Sequence, residues 1–302
     1  MAGTEVTRVA VGDIGTNTAR LLVADVEGSS LTEVDVRTEV VGLGRGLHDT
    51  GLLQPDAMER AVNALGSFAT AFADSDNSII VATSASRDAR NREDFFDQVE
   101  RICGVRPTLI DGVAEARFSF EGASRALPDR QITVIDIGGG STEFVHGRSG
   151  VETAVSVDIG SVRLTDLYLG GGPVPARKLA AARSVTAGLF AGIDVADSET
   201  VVGVAGTCTT VAGTLLGLTV HDRSIVHLAT IGPDAVTELL GRLATLTTEE
   251  IASVGTIGTK RAPVILGGLV VLEAALRAVG ASGMVVSEWD LLHGVAVGLV
   301  SG

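Results

Sequence analysis

Short apolar runs alternate with longer amphipathic segments along the whole chain. Runs such as Val6–Val11 and Ser78–Ala82 predict buried strands, because they are rich in β-branched residues and end near glycine or hydroxyl residues. Segments such as Pro55–Ala73 predict helices, because apolar residues recur there at helical spacing behind an initial proline. The alternation predicts an α/β fold whose ligands bind at the carboxyl ends of the strands.

The remaining predicted elements follow the same pattern. Strands are predicted at Arg20–Val26, Val34–Val41, Val105–Leu109, Thr153–Ser156, Thr200–Ala205 and Met284–Val286, and helices from about Arg90, from Asp111 to about Ala126, and at Pro175–Leu189, Pro233–Thr245 and Glu249–Val254. The most apolar helical segment, Ala262–Val279, is interrupted by Glu273 and Arg277. It therefore predicts a core helix and not a membrane span.

One stretch, Val134–Val145, combines a buried strand, a turn of three glycines and a second strand. Glycines allow positive φ in such a turn and leave backbone N–H groups uncovered, so the turn can hold a phosphate. Asp136 and Glu143 add two carboxylates, which fit a divalent cation beside the phosphate. The alternative is a tight strand–turn–strand in which glycine serves the turn alone.

The same pattern occurs a second time, at Val9–Val23. Aligning Asp13 with Asp136 places Thr18 on Ser141 and Arg20 on Glu143. Two copies far apart in the chain predict two related domains that face each other across a cleft. The basic copy would hold phosphate by charge, and the acidic copy would hold it through a metal ion.

Three other segments carry candidate site residues, each with an open alternative. Thr83, Ser84 and Arg87 follow a predicted strand and fit a phosphate contact, although this arginine could instead belong to a solvated face. Glu115 lies in the first turn of a predicted helix, where the helix dipole alone explains a carboxylate. Gly206-Thr207 fits an anion site at a helix N-terminus, or simply allows close helix–strand packing.

Composition narrows the class of partners. The chain has 302 residues, enough for two domains, with a formal charge of −14 and only 3% aromatic residues. This charge argues against nucleic acid or an anionic membrane as a partner, but it permits a phosphorylated substrate in a locally basic site. Two distant cysteines and the absence of a signal-peptide pattern fit a reducing cytoplasm.

The motifs, taken in order, resemble the exopolyphosphatase / guanosine pentaphosphate phosphohydrolase (Ppx/GppA) family in its short two-domain form. The segments that carry the resemblance are Asp13…Asn17…Arg20, Ala82–Asn91, Glu115-Ala116-Arg117, Asp136–Glu143, Gly160–Thr165, Gly203–Thr207, Arg261–Gly267 and Val285–Gly294. The resemblance implies two ribonuclease-H-like domains of the actin, hexokinase and heat-shock ATPase superfamily flanking an interdomain cleft. The expected domains are residues 1–124 and 125–289, with a C-terminal helix at about 290–302 packing back on the first.

The resemblance also implies roles for individual residues. Glu115 would be the general base that positions and deprotonates water, and Asp136 and Glu143 would bind Mg²⁺, with a monovalent cation such as K⁺ as a further candidate cofactor. The phosphate-binding set would be Asp13, Gly15, Thr16, Asn17, Thr18, Arg20, Thr83, Ser84, Arg87, Gly138, Gly139, Gly140, Ser141, Thr142, Gly206 and Thr207.

The expected activity is release of terminal orthophosphate from inorganic polyphosphate. Short chains are favoured, because the helical region of longer relatives is absent. The alternatives are removal of the 5′-phosphate from guanosine pentaphosphate, and a nucleotide-binding regulatory module without turnover. A homodimer is expected from the resemblance. Three residues depart from the family pattern. Ala114 stands where an acid usually precedes the catalytic glutamate, which would alter the pKa of that glutamate, and Leu292 and His293 replace a usual Arg-Glu pair, which argues against a role of the C-terminal segment in the cleft.

Overall fold

The computed structural model describes residues 6–28, 30–195 and 198–301, so the outermost residues of the expected domains lie outside the described part. The chain forms two compact units. Unit 1 comprises residues 1–122 together with 291–302, and unit 2 comprises residues 123–290.

The described part of unit 1 contains five strands and both short and longer helices. Its elements are β1 (Thr7–Ile14), β2 (Thr18–Glu27), β3 (Ser30–Val40), α1 (Leu47–Thr50), α2 (Pro55–Gly66), α3 (Ala69–Ala73), β4 (Asn77–Ala82), α4 (Ser84–Asp88), α5 (Arg92–Cys103), β5 (Thr108–Leu109) and α6 (Gly112–Ser124). The last helix of the chain, which also belongs to this unit, is α15 (Leu291–Ser301).

Unit 2 repeats the alternation of strands and helices. Its elements are β6 (Ile132–Ile137), β7 (Thr142–Gly147), β8 (Val151–Val157), α7 (Ser161–Leu164), a π-helical turn (Thr165–Leu169), α8 (Ala176–Phe190), β9 (Thr200–Val204), α9 (Ala205–Leu215), α10 (Arg223–Val226), β10 (Thr230–Ile231), α11 (Pro233–Leu243), α12 (Thr248–Ala252), α13 (Gly258–Arg261), α14 (Ile265–Ala278) and β11 (Met284–Val286).

The two sheets have the same strand order. In unit 1 the order is β3-β2-β1-β4-β5, and in unit 2 it is β8-β7-β6-β9-β11, with β10 added beyond β11. In each sheet the first strand pairs antiparallel with the second and parallel with the fourth. The internal repeat seen in the sequence is therefore a repeat of whole sheets, each with the ribonuclease-H-like order.

The core of unit 1 lies on both faces of its sheet, as the two-residue period of a strand requires. Ala10 and Ile14 of β1 pack with residues of α2 and α5, whereas Val9 and Val11 pack with Leu291, Leu292 and Val295 of α15. The last helix is thus part of the core around the first strand, although about 280 residues separate them in the chain.

The core of unit 2 is built around α14. Leu269, Val270 and Val271 of this helix are fully buried among residues of β6, α8 and α11. Glu273, whose charge interrupts the apolar pattern, is also buried, with 4% of its surface exposed. The prediction of a core helix is correct. In the part of the chain that the structure describes, none of the helices could cross a bilayer.

The structure corrects several predicted boundaries. The predicted helix Pro55–Ala73 is two helices, α2 and α3, with a break at Ser67 and Phe68, where the Ser67 hydroxyl donates to the carbonyl of Ala64 at 2.6 Å. The sequence predicts a turn between the strand Ser78–Ala82 and the helix from about Arg90, but the structure forms a short helix there, α4. The predicted strand Val105–Leu109 shortens to two residues, because only Thr108 and Leu109 pair with β4.

Candidate active site

The turn between β1 and β2 is closed by one backbone hydrogen bond, from Gly15 N to Thr18 O at 2.9 Å. Asp13 and Arg20 stand opposite each other on the two strands, with 3.8 Å between Asp13 Oδ2 and Arg20 Nη1. Gly15 does not adopt a positive φ. Glycine is favoured there because a Cβ would lie 3.2 Å from the Thr18 carbonyl oxygen.

A neighbouring loop holds this first turn in place. The N–H groups of Val41 and Gly42 both donate to Asn17 O, and Gly44 N donates to Thr16 O at 2.8 Å. A Cβ on Gly44 would collide with the Thr16 methyl group. This loop lies within Gly42–Leu47, a glycine-rich segment that the sequence predicts as either a plain loop or a substrate contact through Arg45. The structure shows instead that its backbone supports the turn.

Two of the predicted phosphate ligands in this turn are buried. Thr16 and Asn17 expose only 7% and 8% of their surface. The side-chain oxygen of Asn17 is buried without a hydrogen-bond partner among the described residues. A buried acceptor without a donor is costly, so this amide fits a site completed by a ligand or water.

The end of β4 lies directly beside the first turn. Thr83 donates to Ile14 O through both its backbone N–H, at 3.1 Å, and its hydroxyl, at 3.3 Å. Ser84, which begins α4, is 3% exposed. The parallel pairing of β4 with β1 brings these hydroxyl residues to the end of the sheet where the turn lies.

Arg87 and Glu115 form an ion pair. Arg87 Nη1 lies 2.7 Å from Glu115 Oε2 and also donates to Ile110 O at 3.1 Å. The two side chains are 19% and 10% exposed, which rules out the alternative of a solvated arginine face. The sequence predicts Arg87 as a phosphate ligand. In the structure it orients the carboxylate of Glu115, a pairing that the sequence did not indicate.

Glu115 is held by the first turn of α6. Asp111 accepts from Ala114 N through its side chain at 2.8 Å and from Glu115 N through its carbonyl at 3.0 Å. A carboxylate that served only the helix dipole could stay in solvent, yet this one is 8% exposed and ion-paired. Its burial indicates a role beyond helix stabilisation.

The turn between β6 and β7 has the same construction. Gly138 N donates to Ser141 O at 3.1 Å, and a Cβ on Gly138 would lie 3.2 Å from that oxygen. Like Gly15, Gly138 does not adopt the positive φ that glycine would allow in this turn. The neighbours of this turn are the N–H groups that begin α7: Ser161 N donates to Gly138 O, and Val162 N donates to Gly139 O.

Close backbone approach explains another glycine at this turn. A Cβ on Gly160 would lie 2.6 Å from Gly138 O, so only glycine lets the two segments meet. Thr142 is fully buried and its hydroxyl donates to Ile159 O at 2.6 Å. Ser141 Oγ is buried and, among the described residues, has no hydrogen-bond partner. This hydroxyl is positioned for a ligand at the turn.

The two carboxylates predicted to bind a metal ion, Asp136 and Glu143, stand directly opposite each other on neighbouring strands. Asp136 on β6 pairs with Glu143 on β7, and they are 7% and 0% exposed. Like charges in opposite positions of a sheet repel, so a cation between them would stabilise the pair. Glu143 Oε1 accepts a hydrogen bond from Ser156 Oγ on β8 at 2.7 Å.

This donor set fits Mg²⁺. Mg²⁺ prefers hard oxygen ligands and is usually held by one or two carboxylates, with water and substrate phosphates completing the octahedron. Among the described residues, no group of three or more His, Cys, Asp or Glu side chains forms a complete metal cage. Asp136 and Glu143 therefore suit an ion that shares its coordination with a phosphate.

The third candidate turn joins β9 to α9. Ala205 has φ of +64°, an uncommon conformation for a residue with a side chain. A Cβ on the next residue, Gly206, would collide with the guanidinium of Arg261, so this arginine lies against the bare backbone. Thr207 is 6% exposed. Sequence reasoning did not select Arg261, although it lies in a motif that the resemblance used.

The two cysteines are not nucleophile candidates. Burial raises the pKa of the Cys103 thiol to about 11. Burial, together with the charge of Asp136, raises the pKa of the Cys208 thiol well above its usual range. Both remain neutral thiols near pH 7 and behave as apolar packing.

The comparison with known families decides the identity. A family model described as the Ppx/GppA phosphatase family matches residues 16–301. The chain belongs to the Ppx/GppA phosphatase family. Exopolyphosphatase 2 of Mycobacterium tuberculosis is 35% identical to it over 97% of this chain and 98% of its own length. Membership of the Ppx/GppA family makes the chain a hydrolase that acts on phosphoanhydride bonds.

Solved structures of Ppx/GppA relatives have the same fold. The crystal structure of an exopolyphosphatase-like protein superposes with a TM-score of 0.91 at 34% identity, covering 97% of this chain and 98% of the other. An exopolyphosphatase from Cytophaga hutchinsonii superposes with a TM-score of 0.87 at 26% identity, covering 98% of each chain. The predicted fold class, α/β with two ribonuclease-H-like domains, is confirmed.

The residues that depart from the Ppx/GppA pattern near the C-terminus lie in the core of unit 1. Leu292 and His293 are each 1% exposed. Leu292 packs with β1 and β2 residues, and His293 Nε2 lies 2.8 Å from Glu33 Oε1 on β3. These two departures serve the attachment of α15 to the sheet.

Proposed function

We propose that the protein is an exopolyphosphatase that releases orthophosphate from the end of an inorganic polyphosphate chain. The observation that carries the proposal is the pair of equivalent turns, which share one backbone construction but differ in charge. The first turn combines Asp13 with Arg20, and the second combines Asp136 with Glu143. The first can bind phosphate directly, and the second suits phosphate only together with a cation.

Glu115 is the proposed general base. Its carboxylate would accept a proton from the attacking water, and Arg87 fixes Oε2 and thereby the direction of the whole carboxylate. Transfer of a terminal phosphoryl group requires little beyond such positioning and charge stabilisation. Among the residues of unit 1, Arg20 and the N–H groups of the first turn would supply part of that stabilisation.

Asp136 and Glu143 are the proposed Mg²⁺ ligands. Bound there, the ion would neutralise charge on the phosphoryl oxygens. The buried Ser141 hydroxyl and the cationic Arg261 are the proposed phosphate contacts of unit 2. Gly206 and Thr207 would add backbone and hydroxyl donors at the start of α9.

Substitution of Glu115 tests the proposal directly. We expect Glu115→Gln to reduce phosphate release from short polyphosphate by about two orders of magnitude or more, because the amide cannot accept the proton. The matched control is Glu121→Gln, which changes an exposed glutamate of the same helix. Release by Glu115→Gln at the wild-type rate would refute the assigned role.

The same phosphate-release assay also tests which substrate the enzyme prefers. Specificity constants would be compared for polyphosphates of defined length and for guanosine pentaphosphate, each with and without Mg²⁺. The relatives from Mycobacterium tuberculosis and Cytophaga hutchinsonii are named exopolyphosphatases, which supports polyphosphate as the better substrate. A higher specificity constant on guanosine pentaphosphate would overturn this assignment. The preference for short chains, the homodimer, the cytoplasmic location and the monovalent cation stay predictions.

A further inference from the structure

Three residues form a row across the first three strands of the unit 2 sheet. Asp136 pairs with Glu143, and Glu143 pairs with Ser156 on β8. Ser156 Oγ donates to Glu143 Oε1 at 2.7 Å. Glu143 is completely buried and Ser156 is half-buried, so this hydrogen bond is shielded from solvent on the carboxylate side and restricts the carboxylate more than a fully solvated contact would.

The equivalent row in unit 1 is Asp13, Arg20 and Thr38. A hydroxyl residue stands on the third strand of both sheets. In unit 1 the middle residue is a cation, and the exposed Thr38 has no carboxylate in register beside it. Of these two rows, only the one in unit 2 places a hydroxyl that donates to a buried carboxylate beside the proposed metal ligands.

A hydrogen bond on one carboxylate oxygen changes how the group binds a cation. While Oε1 of Glu143 accepts from Ser156, chelation of one ion by both oxygens is disfavoured, and an ion would bind through Oε2. Single-oxygen binding suits Mg²⁺, which requires a small octahedral shell at about 2.0–2.1 Å. Ca²⁺ has a larger and more flexible shell that often uses both oxygens of a carboxylate.

We propose that Ser156 is a positioning residue that sets cation specificity, favouring Mg²⁺ over Ca²⁺ at Glu143. The inference rests on the proposed function, because it assumes that Asp136 and Glu143 bind the cation. Partners of metal ligands commonly affect metal affinity by about 10–100-fold. Ser156 acts through Glu143.

The test measures binding before activity. Mn²⁺ binding to the full chain would be followed by electron paramagnetic resonance, with Mg²⁺ and Ca²⁺ as competitors, for wild type, Ser156→Ala and Ser156→Thr. We expect Ser156→Ala to lower the Mg²⁺ to Ca²⁺ affinity ratio about 10-fold. Ser156→Thr, which keeps the hydroxyl, should restore the ratio to within about twofold of wild type.

A control variant and a ligand variant make the outcomes distinguishable. Thr153→Ala removes a hydroxyl from the same strand, at a position in register with His146 and not with Glu143, and should leave the ratio unchanged. Asp136→Asn should weaken Mn²⁺ binding strongly. If it does and Ser156→Ala leaves the ratio at the wild-type value, the inference about Ser156 is wrong while the metal site stands. If Asp136→Asn binds Mn²⁺ like wild type, the metal assignment itself fails.

Discussion

At the scale of single residues, Glu273 shows how a charge is accommodated in an apolar helix. Arg183 contacts it with two nitrogens, Nε at 2.7 Å and Nη2 at 3.0 Å, and the hydroxyl of Thr237 donates to it at 2.8 Å. Arg277 adds a contact at 3.2 Å from one turn further along the helix. A buried carboxylate requires such partners, because an unpaired one would be strongly destabilising.

The two arginines should contribute unequally. Arg183 is 36% exposed and makes the two-nitrogen contact, whereas Arg277 is 66% exposed. We expect Arg183→Ala to lower the free energy of unfolding by about 2 kcal/mol, because it leaves a buried charge with fewer donors. Arg277→Ala should cost about 0.5 kcal/mol or less, as for an exposed ion pair. Urea unfolding of both variants measures the difference, and equal losses would contradict this account.

The glycines of the candidate site allow neighbouring backbone segments to approach closely, and this explains them better than unusual backbone angles do. Gly44 and Gly160 each stand where a Cβ would meet another segment. Neither Gly15 nor Gly138 adopts the positive φ that the glycine-rich turns suggested. A glycine in the sequence can indicate a position where a side chain is not tolerated. The reason depends on which neighbouring segment the fold packs against that glycine.

At the scale of elements, α6 is the helix that carries Glu115. Its first turn is fixed by Asp111, whose side chain accepts from the N–H of Ala114. In α12 of unit 2, Thr247 makes a comparable cap by accepting from Glu250 N at 3.2 Å, and that helix carries none of the proposed site residues. The two helices offer a matched pair of caps, one beside the proposed base and one away from it.

Removal of either cap should lower the free energy of unfolding by a similar amount, but only one of the two removals should lower kcat. We expect Asp111→Ala and Thr247→Ala each to lower the free energy of unfolding by about 1 kcal/mol. Only Asp111→Ala should also reduce kcat, by about 3–10-fold, because it loosens the turn that positions Glu115. Denaturant unfolding and steady-state kinetics separate the two effects. A similar fall in kcat for Thr247→Ala would show that the loss reflects general destabilisation.

At the scale of the whole molecule, the chain returns to unit 1 at its end. Gly294 of α15 lies against the backbone of Phe118 in α6, so closely that a Cβ would collide with the Phe118 carbonyl. Gly298, one turn later, would place a Cβ at 3.7 Å from the Phe118 ring, which is ordinary van der Waals contact. The last helix thus packs directly on the helix of the proposed base.

This packing should link the C-terminal helix to catalysis. We expect Gly294→Ala to separate α15 from α6, lowering the free energy of unfolding by about 1–3 kcal/mol and reducing phosphate release. Gly298→Ala should leave stability unchanged within about 0.5 kcal/mol, or raise it slightly, because alanine favours a helix and meets no obstruction. Thermal unfolding and kcat measured on both variants provide the check. If the two variants behave alike, the contact with Phe118 has no such role.

The negative charge of the whole molecule affects how a phosphate-rich substrate can bind. A formal charge of −14 disfavours the approach of a polyanion. In the proposed function, Arg20, Arg261 and a cation held by Asp136 and Glu143 would offset this charge locally. A divalent ion at the proposed site would therefore assist substrate binding as well as the chemical step.

The sequence by itself determined the alternation of strands and helices, the two related turns and the family. These depend on local patterns: β-branched runs, helical spacing, and glycine and hydroxyl residues at strand ends. It also placed Asp13 on Asp136 and Arg20 on Glu143, because short hairpins keep the same register when their turns have equal length.

Only the tertiary structure decided which distant side chains meet. The Arg87–Glu115 pair, the loop of Gly42 and Gly44 on the first turn, and Ser156 on Glu143 join residues from different elements. Local periodicity carries no record of such contacts, since they arise when strand order and register bring separate segments together. The chemistry of each residue could be read from the chain, but its partner could not.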